Sequence, residues 1–98
     1  MIWCRMHAGR KRAVLAIADE ELMGMSFEEG EFVLSVNSFF KGELVREDEA
    51  AAMLKDAEII NAVGRKAVAV VLEAGLSDGG TVKRVGGVPH VQVVKINI

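Results

Sequence analysis

A run of five residues, Gly86-Gly87-Val88-Pro89-His90, combines the residue types best suited to bind a ligand. Gly86 and Gly87 accept backbone angles that other residues resist, and Pro89, the one proline of the chain, fixes its own φ. His90 adds an imidazole that titrates near neutral pH. The run predicts either a concavity of backbone amides that binds an anion beside His90, or a tight bend between two strands. We expect the concavity, because a bend needs only one glycine.

A second polar segment, Asn61 to Lys66, has the pattern of a helix N-terminus. Asn61 suits the cap of a helix over residues 62–74, and Gly64 falls in the first turn of that helix. Arg65 and Lys66 follow directly, and the free amides at a helix start attract anions. The glycine and lysine spacing matches neither a Walker loop nor a dinucleotide fingerprint. Two interpretations are therefore open: an anion site, or a glycine that allows close packing.

The segment Phe39-Phe40-Lys41-Gly42 places two aromatic rings beside a cation. Stacking rings next to the charge of Lys41 suit single-stranded nucleic acid. Adjacent residues of an extended chain point to opposite faces, so we expect at most one of the two phenylalanines to face solvent. Packing of one or both rings in the core is the alternative.

The chain offers little for catalysis or metal binding. His7 and His90 are its two histidines, and neither has a partner at a metal-ligand spacing. Cys4 is the one cysteine, and its apolar surroundings predict a buried, inert thiol in a reducing cytoplasm. We therefore expect no cofactor and favour a function other than catalysis. An enzyme stays compatible with the sequence if His90, Asn61 and Asp19 converge in one pocket.

Length and composition predict one folded domain over residues 1–98. Apolar residues make up 51% of the chain and charged residues 27%, and no apolar run suits a signal peptide or a membrane helix. We expect a cytoplasmic protein that does not bind membranes. The net charge of −2 is uneven, since both ends of the chain are basic and the middle is acidic. If the two ends meet in space, they form a face that attracts phosphate. A homodimer would supplement a small aliphatic core.

Hydrophobic periodicity predicts the elements that position these residues. The expected elements are, in chain order, strands 1–7, 13–18 and 31–36, helices 47–57 and 62–74, and strands 81–85 and 90–98. Asp19 is expected to cap a short helical turn before Gly24. The helical stripes should bury Met53, Leu54, Val70 and Val71. Terminal hairpins around a helical middle predict the α+β class: a single small domain with a mainly antiparallel or mixed sheet and two helices packed on one face.

Over nearly its full length, the chain resembles a family of small archaeal proteins known as domain of unknown function 424. The resemblance is carried by Asp19-Glu20-Glu21-Leu22 with Gly24, Phe27 with Gly30, residues 39–45, Asn61 to Gly64, Gly75-Leu76 and, most specifically, Gly86 to His90. The basic tip at residues 10–12 is not part of it. That family has no assigned activity, so the resemblance implies an archaeal, cytoplasmic, single-domain protein and assigns no catalytic residue.

The leading functional hypothesis is a non-enzymatic binding module for RNA or a ribonucleoprotein. It depends on the aromatic connector at residues 39–42 and on bases that could contact phosphate, namely Arg10, Lys11, Arg12, Lys41, Arg65, Lys66, Lys83 and Arg84. One alternative is an enzyme for a small molecule or phosphate ligand around residues 86–90. The other is a structural subunit that docks through the sheet edge left by the last strand.

Overall fold

The computed structural model describes residues 1–9 and 12–96. Within these ranges the strands are β1 (Ile2–Ala8), β2 (Ala13–Asp19), β3 (Ser26–Glu29), β4 (Phe32–Ser35), β5 (Glu43–Val45), β6 (Ile59–Val63), β7 (Lys83–Val85) and β8 (Val88–Val94). The α-helices are α1 (Glu47–Met53) and α2 (Arg65–Glu73). Single 3-10 turns cover Glu20–Leu22, Leu54–Asp56 and Gly79–Thr81. None of these helices is long and apolar enough to cross a membrane.

Six strands form one mixed sheet in the order β5-β1-β2-β6-β8-β7. β2 and β6 run parallel, and the other neighbours run antiparallel. β3 and β4 form a separate antiparallel hairpin. Both α-helices contribute to one core on one side of the large sheet. The expected α+β class, a small domain with a mixed sheet and two helices on one face, is confirmed.

The two faces of β2 pack against different partners, because successive strand residues point to opposite sides. Leu15 and Ile17 lie in the main core with the helices. On the opposite face, the small side chains of Ala16 and Ala18 leave room for the ring of Phe40, which is 3% exposed. The segment after β4, residues 36–42, therefore covers part of the face of the large sheet that carries no helix.

The prediction of a helix over residues 62–74 is wrong at its start. Ile59–Val63 is a strand between β2 and β8, and α2 begins only at Arg65, with Gly64 as its N-cap residue. Asn61 therefore lies in the middle of β6 and caps no helix. A short central strand whose residues are apolar except for Asn61 has no alternation that distinguishes it from a buried helix.

The other helix agrees with its expected range. Glu47–Met53 is α-helical and continues as a 3-10 turn to Asp56. Leu54, Val70 and Val71 are at most 5% exposed, and Met53 is partly buried against the same core. The predicted burial of the two helical stripes is confirmed.

The terminal hairpins both form, with shifted boundaries. β1 pairs with β2 from Ile2 opposite Asp19 to Ala8 opposite Ala13, while the tip residues Arg10 and Lys11 lie outside the described residues. The last strand starts at Val88 and lies between β6 and β7, so the edge strands of the sheet are β5 and β7. The suggested docking edge along the last strand is therefore already paired.

Candidate functional site

The glycine pair forms the turn of the β7–β8 hairpin. Gly86 and Gly87 have φ of +57° and +82° and join Val85 to its cross-strand partner Val88. Positive φ at both central residues is the geometry of a two-residue type I′ turn, which glycine adopts without steric cost. The amide of Gly86 donates a hydrogen bond to Glu29 Oε1 at 3.1 Å. The turn thus binds a carboxylate of the β3–β4 hairpin.

Pro89 and Gly64 connect the two polar segments that the sequence singles out. Pro89 is a buried residue of β8 opposite Arg84, and its carbonyl accepts a hydrogen bond of 2.9 Å from the amide of Gly64. The ladder between β6 and β8 ends with Val63 opposite His90. Pro89 lies one residue beyond that ladder, so its missing N–H interrupts no hydrogen bond between β6 and β8.

His90 and Asn61 meet directly on the face of the sheet opposite the helices. Their side chains form a hydrogen bond of 2.9 Å between Nε2 of His90 and Oδ1 of Asn61. An amide oxygen can only accept, so Nε2 carries the proton and Nδ1 keeps a lone pair in the neutral ring. Burial, and secondarily the charge of Lys83, lowers the pKa of His90 below its ordinary value of 6.5. The imidazole is therefore neutral at pH 7.

Two polar atoms of this pair face solvent. No buried side-chain nitrogen or oxygen in the described part of the chain lacks a hydrogen-bond partner. Nδ1 of His90 and Nδ2 of Asn61 make no hydrogen bond to a described residue, so neither atom is buried. The pair offers a ligand one hydrogen-bond acceptor and the amide donors.

A depression of about 300 Å³ opens beside His90. Its walls are formed by Phe32, Thr81, Lys83, Val85, His90, Val91 and Gln92. Phe32, at the start of β4, is 64% exposed and supplies an aromatic ring at the rim. An aromatic ring, an amide and a cation around one depression are the groups that stack on and hydrogen-bond a planar polar ligand.

Two cross-strand rows extend from this depression toward the opposite side of the sheet. The amide row contains Arg5, Ala16, Asn61 and Gln92, which are partners on β1, β2, β6 and β8. The aliphatic row next to it contains His7, Val14, Ile59 and Val94. Ala16 is fully buried in the cluster that contains Phe40, so the amide row is covered at β2. We call the other residues of the two rows, together with His90 and Lys83, the open face. Four strands at about 4.8 Å spacing span about 14 Å from β1 to β8.

An aromatic stack lies at the β1 end of the open face. The ring of Phe39 stacks on His7 with centroids 4.2 Å apart, and Nε2 of His7 donates to the Phe39 carbonyl at 2.8 Å. Phe39 is 39% exposed, whereas Phe40 is buried, so the expectation that at most one of the two rings faces solvent is confirmed. Lys41 lies nearby, with Nζ 5.9 Å from the ring centre of Trp3.

Asp19 does not join His90 and Asn61. It is 3% exposed, and its carboxylate accepts the amides of Lys66 and Ala67 at the start of α2, at 3.1 and 2.8 Å. The expected cap of the short turn after β2 is wrong, since that turn receives no side-chain hydrogen bond from Asp19. Asp19 instead performs for α2 the N-cap role that Gly64 lacks the side chain to fill.

The bases named from the sequence divide between the two sides of the sheet. Lys83 lies on the open face, directly opposite His90 on the neighbouring strand. Arg65, Lys66 and Arg84 line two depressions on the helix side. Arg12 donates to the carbonyl of Lys95 at 2.6 Å and lies 3.5 Å from Glu58, so its guanidinium contacts the protein itself.

Sequence reasoning missed Phe32, Gln92 and the aliphatic row. Alternating polarity along the last strand did indicate that Gln92 lies on an exposed face. The row itself could not be found, because no strand was predicted over residues 59–63 and the partners of Ile59 were unknown. Among the described residues, no group of three metal-ligating side chains occurs. Cys4 is buried, as expected, and burial, followed by Glu43 and Glu49, raises its thiol pKa to about 12.

The family assignment follows from the match over residues 7–96 to the sequence model of a protein family described as "Protein of unknown function (DUF424)". The chain belongs to the DUF424 family. None of the curated proteins matches it. A solved structure, an uncharacterized conserved protein from Methanopyrus kandleri, is 29% identical to this DUF424 protein and superposes with a TM-score of 0.84. That likeness covers 99% of this chain and 95% of the other.

Proposed function

We propose that this protein is a non-enzymatic module that binds single-stranded RNA, free or within a ribonucleoprotein, on the open face. The observation that carries the proposal is the Asn61–His90 pair, with solvent-facing hydrogen-bond atoms beside the depression that Phe32 borders. Proteins that bind single-stranded RNA on a sheet stack bases on aromatic rings and hydrogen-bond the base edges. A cytoplasmic location is part of the proposal.

The charge of the open face supports an anionic ligand. The chain contains 14 acidic residues, yet neither row includes one, and Glu29 at the adjoining β7–β8 turn accepts the Gly86 amide. The cations of the face are Lys83 and Arg5, of which Arg5 also donates to the Ser38 carbonyl at 2.8 Å. The acidic first turn of α1 contributes to the other side of the sheet, because α1 packs in the helix-side core. A local cationic surface attracts phosphates even on a protein whose net charge is −2.

The arrangement of aromatic rings supports a single-stranded ligand. Phe39 lies at the β1 end of the open face, and Phe32 lies at the β8 end. Val14 and Ile59 are half-buried and Val94 is 51% exposed, so an apolar strip runs from His7 across the sheet, and Gln92 lies between Val94 and the depression that Phe32 borders. Unpaired bases can stack on rings and cover such a strip, whereas the bases of a duplex are already stacked on each other.

In this fold, one of the three residues that the enzyme alternative requires lies apart from the other two. It requires His90, Asn61 and Asp19 in one pocket, but Asp19 lines a helix-side depression with Lys66, and His90 lines another. The carboxylate of Asp19 is also held by two backbone amides. Binding without catalysis is the function that the geometry supports best.

The test is fluorescence anisotropy with a labelled random single-stranded RNA and the matching duplex. We expect the single strand to bind more tightly, with affinity that falls as salt rises from about 50 to 200 mM. Gln92→Ala and Lys83→Ala should each weaken binding, and Lys83→Ala should reduce the salt slope by about one. Lys66→Ala, which removes an exposed base on the helix side, is the matched control and should change little.

Three results would contradict the proposal: no binding at low salt, a stronger signal with the duplex, or equal losses in Gln92→Ala and Lys66→Ala. Gln92 and Lys66 are both exposed, so neither variant is expected to unfold the protein. Thermal melting of each variant would verify this.

A further inference from the structure

A second surface with a distinct chemistry lies on the helix side of the sheet, between α2 and β7. We call it the arginine groove, and it is lined by Arg65, Val68, Ala69, Leu72, Gly79, Val82, Arg84 and Pro89. Its volume is about 270 Å³. The four residues from α2 follow the spacing of one helical face, so the helix forms one continuous wall.

The chemistry of the groove is an apolar centre with cations at its border. Val68 and Pro89 are buried and Leu72 and Val82 are partly buried, whereas Arg65 and Arg84 are exposed. No lining residue is acidic. Within residues 1–9 and 12–96, neither arginine forms an ion pair. Nη1 of Arg84 donates to the Gly87 carbonyl at 3.4 Å, and neither guanidinium has a described carboxylate partner, so both keep donors for a negative ligand.

The combination of groups favours a peptide over a phosphate or a small molecule. Free phosphate would gain nothing from the apolar centre formed by Leu72 and Val82. The volume of about 270 Å³ lies at the small end of ligand pockets, which hold roughly 300–1,000 Å³. It suits an apolar side chain inserted between two carboxylates, which arginine binds with two parallel hydrogen bonds.

We propose that the arginine groove binds an acidic peptide segment of a partner protein, with one apolar side chain against Leu72 and Val82 and flanking carboxylates on Arg65 and Arg84. Arginine pairs recognise acidic motifs in this way, and an apolar anchor in a preformed pocket supplies much of the affinity. The groove and the open face lie on opposite sides of the sheet, because Arg84 and Lys83 are neighbours on β7 and point to opposite faces. The proposal is therefore independent of RNA binding.

The experiment uses the whole protein on an array of short peptides in which one Leu or Phe is flanked by Asp and Glu. Versions with Lys in place of the acids, and with Ser in place of the apolar residue, are printed beside them. We expect binding only when both features are present. In solution, the double variant Arg65→Glu, Arg84→Glu should weaken the best peptide by about tenfold or more.

Two further variants separate the groove from general charge effects. Lys66→Glu makes the charge change of one arginine substitution, half that of the double variant, next to Arg65 but outside the groove. It should leave peptide affinity within about twofold, and the single variant Arg65→Glu is its matched comparison. Gly79→Leu fills the groove from the side of β7, where a Cβ would meet no atom within 4 Å, and should weaken binding without lowering the melting temperature.

The proposal fails if no acidic peptide binds, if Lys66→Glu weakens binding as much as the double arginine variant, or if the Lys-substituted peptides bind equally well. It also fails if the double arginine variant loses RNA binding and no peptide affinity is found, since the groove would then be part of a nucleic-acid surface. Loss of RNA binding in Gln92→Ala alone bears only on the open face.

Discussion

The carboxyl group of Asp19 occupies the space that a Cβ at Gly64 would need. Gly64 has φ of +107°, a conformation that side chains disfavour, and this brings the end of β6 against the end of β2. The same carboxylate then accepts two amides of α2. One acid and one glycine thus fix where the helix starts on the sheet.

This relationship predicts coupled stability effects. Gly64→Ala should cost about 3 kcal/mol of unfolding free energy through overlap and backbone strain. Asp19→Ala should cost about 2 kcal/mol, because the buried amide of Ala67 and the part-buried amide of Lys66 lose their acceptor. In the double variant, the two costs should sum to more than the measured loss, since removing the carboxylate relieves the overlap. Urea unfolding of all four proteins measures this, and strict additivity would contradict the interpretation.

The His90 environment predicts a pH effect on stability. Because the folded-state pKa lies below the ordinary 6.5, the unfolded chain takes up the proton first as the pH falls. The contribution of the neutral His90 to the free energy of unfolding is therefore fully present above about pH 6.5. It is lost as the pH falls from that value through the folded-state pKa. An NMR titration should find His90 below 6.5. Lys83→Ala should raise this pKa, and Lys55→Ala, whose charge lies elsewhere, should leave it unchanged. A value at or above 6.5 would show that the ring is not desolvated.

Substitution of the adjacent phenylalanines should have different effects, one on RNA affinity and the other on stability. Phe39→Ala removes an exposed ring of the open face and should weaken single-stranded RNA binding by about tenfold, with little change in stability. Phe40→Ala empties a site that is 3% exposed and should destabilise the fold by about 3–5 kcal/mol. Anisotropy and chemical unfolding of both variants test the assignment. Equal RNA affinity in wild type and Phe39→Ala would remove Phe39 from the interface.

The β7–β8 turn predicts a graded response to substitution. Gly87→Val places a β-branched residue at φ of +82° and should cost about 2 kcal/mol. Gly86→Asn should cost less, because asparagine is favoured at the first central position of a type I′ turn and its Cβ would lie at contact distance, 3.4 Å, from Phe27 and the Glu28 carbonyl. Thermal melting ranks the variants, and equal losses would contradict the assigned turn type. If folded Gly86→Asn binds RNA as wild type does, the turn acts as a bend and the hydrogen-bonding contribution comes from His90.

The sequence allowed the hairpins, α1 and the burial of both helical stripes to be predicted, since each has a local periodic signal. It failed at Ile59–Val63, where an apolar run flanks a polar residue and fits a helix or a central strand equally well. That one error also hid the site. Asn61 is a cap in the sequence-based prediction, whereas in the fold it bonds His90, which is 29 residues away and is brought to it only by strand pairing.

The mixed strand order has a consequence for synthesis of the protein. β8 is translated after the other seven strands, yet it lies inside the sheet between β6 and β7. Until it emerges from the ribosome, β6 presents an unpaired apolar edge, and Asn61 has no imidazole partner. A nascent or truncated chain that stops before Val88 therefore lacks the strand that joins β6 to β7 and the imidazole that pairs with Asn61. The proposed RNA-binding surface would form only once β8 has been synthesised.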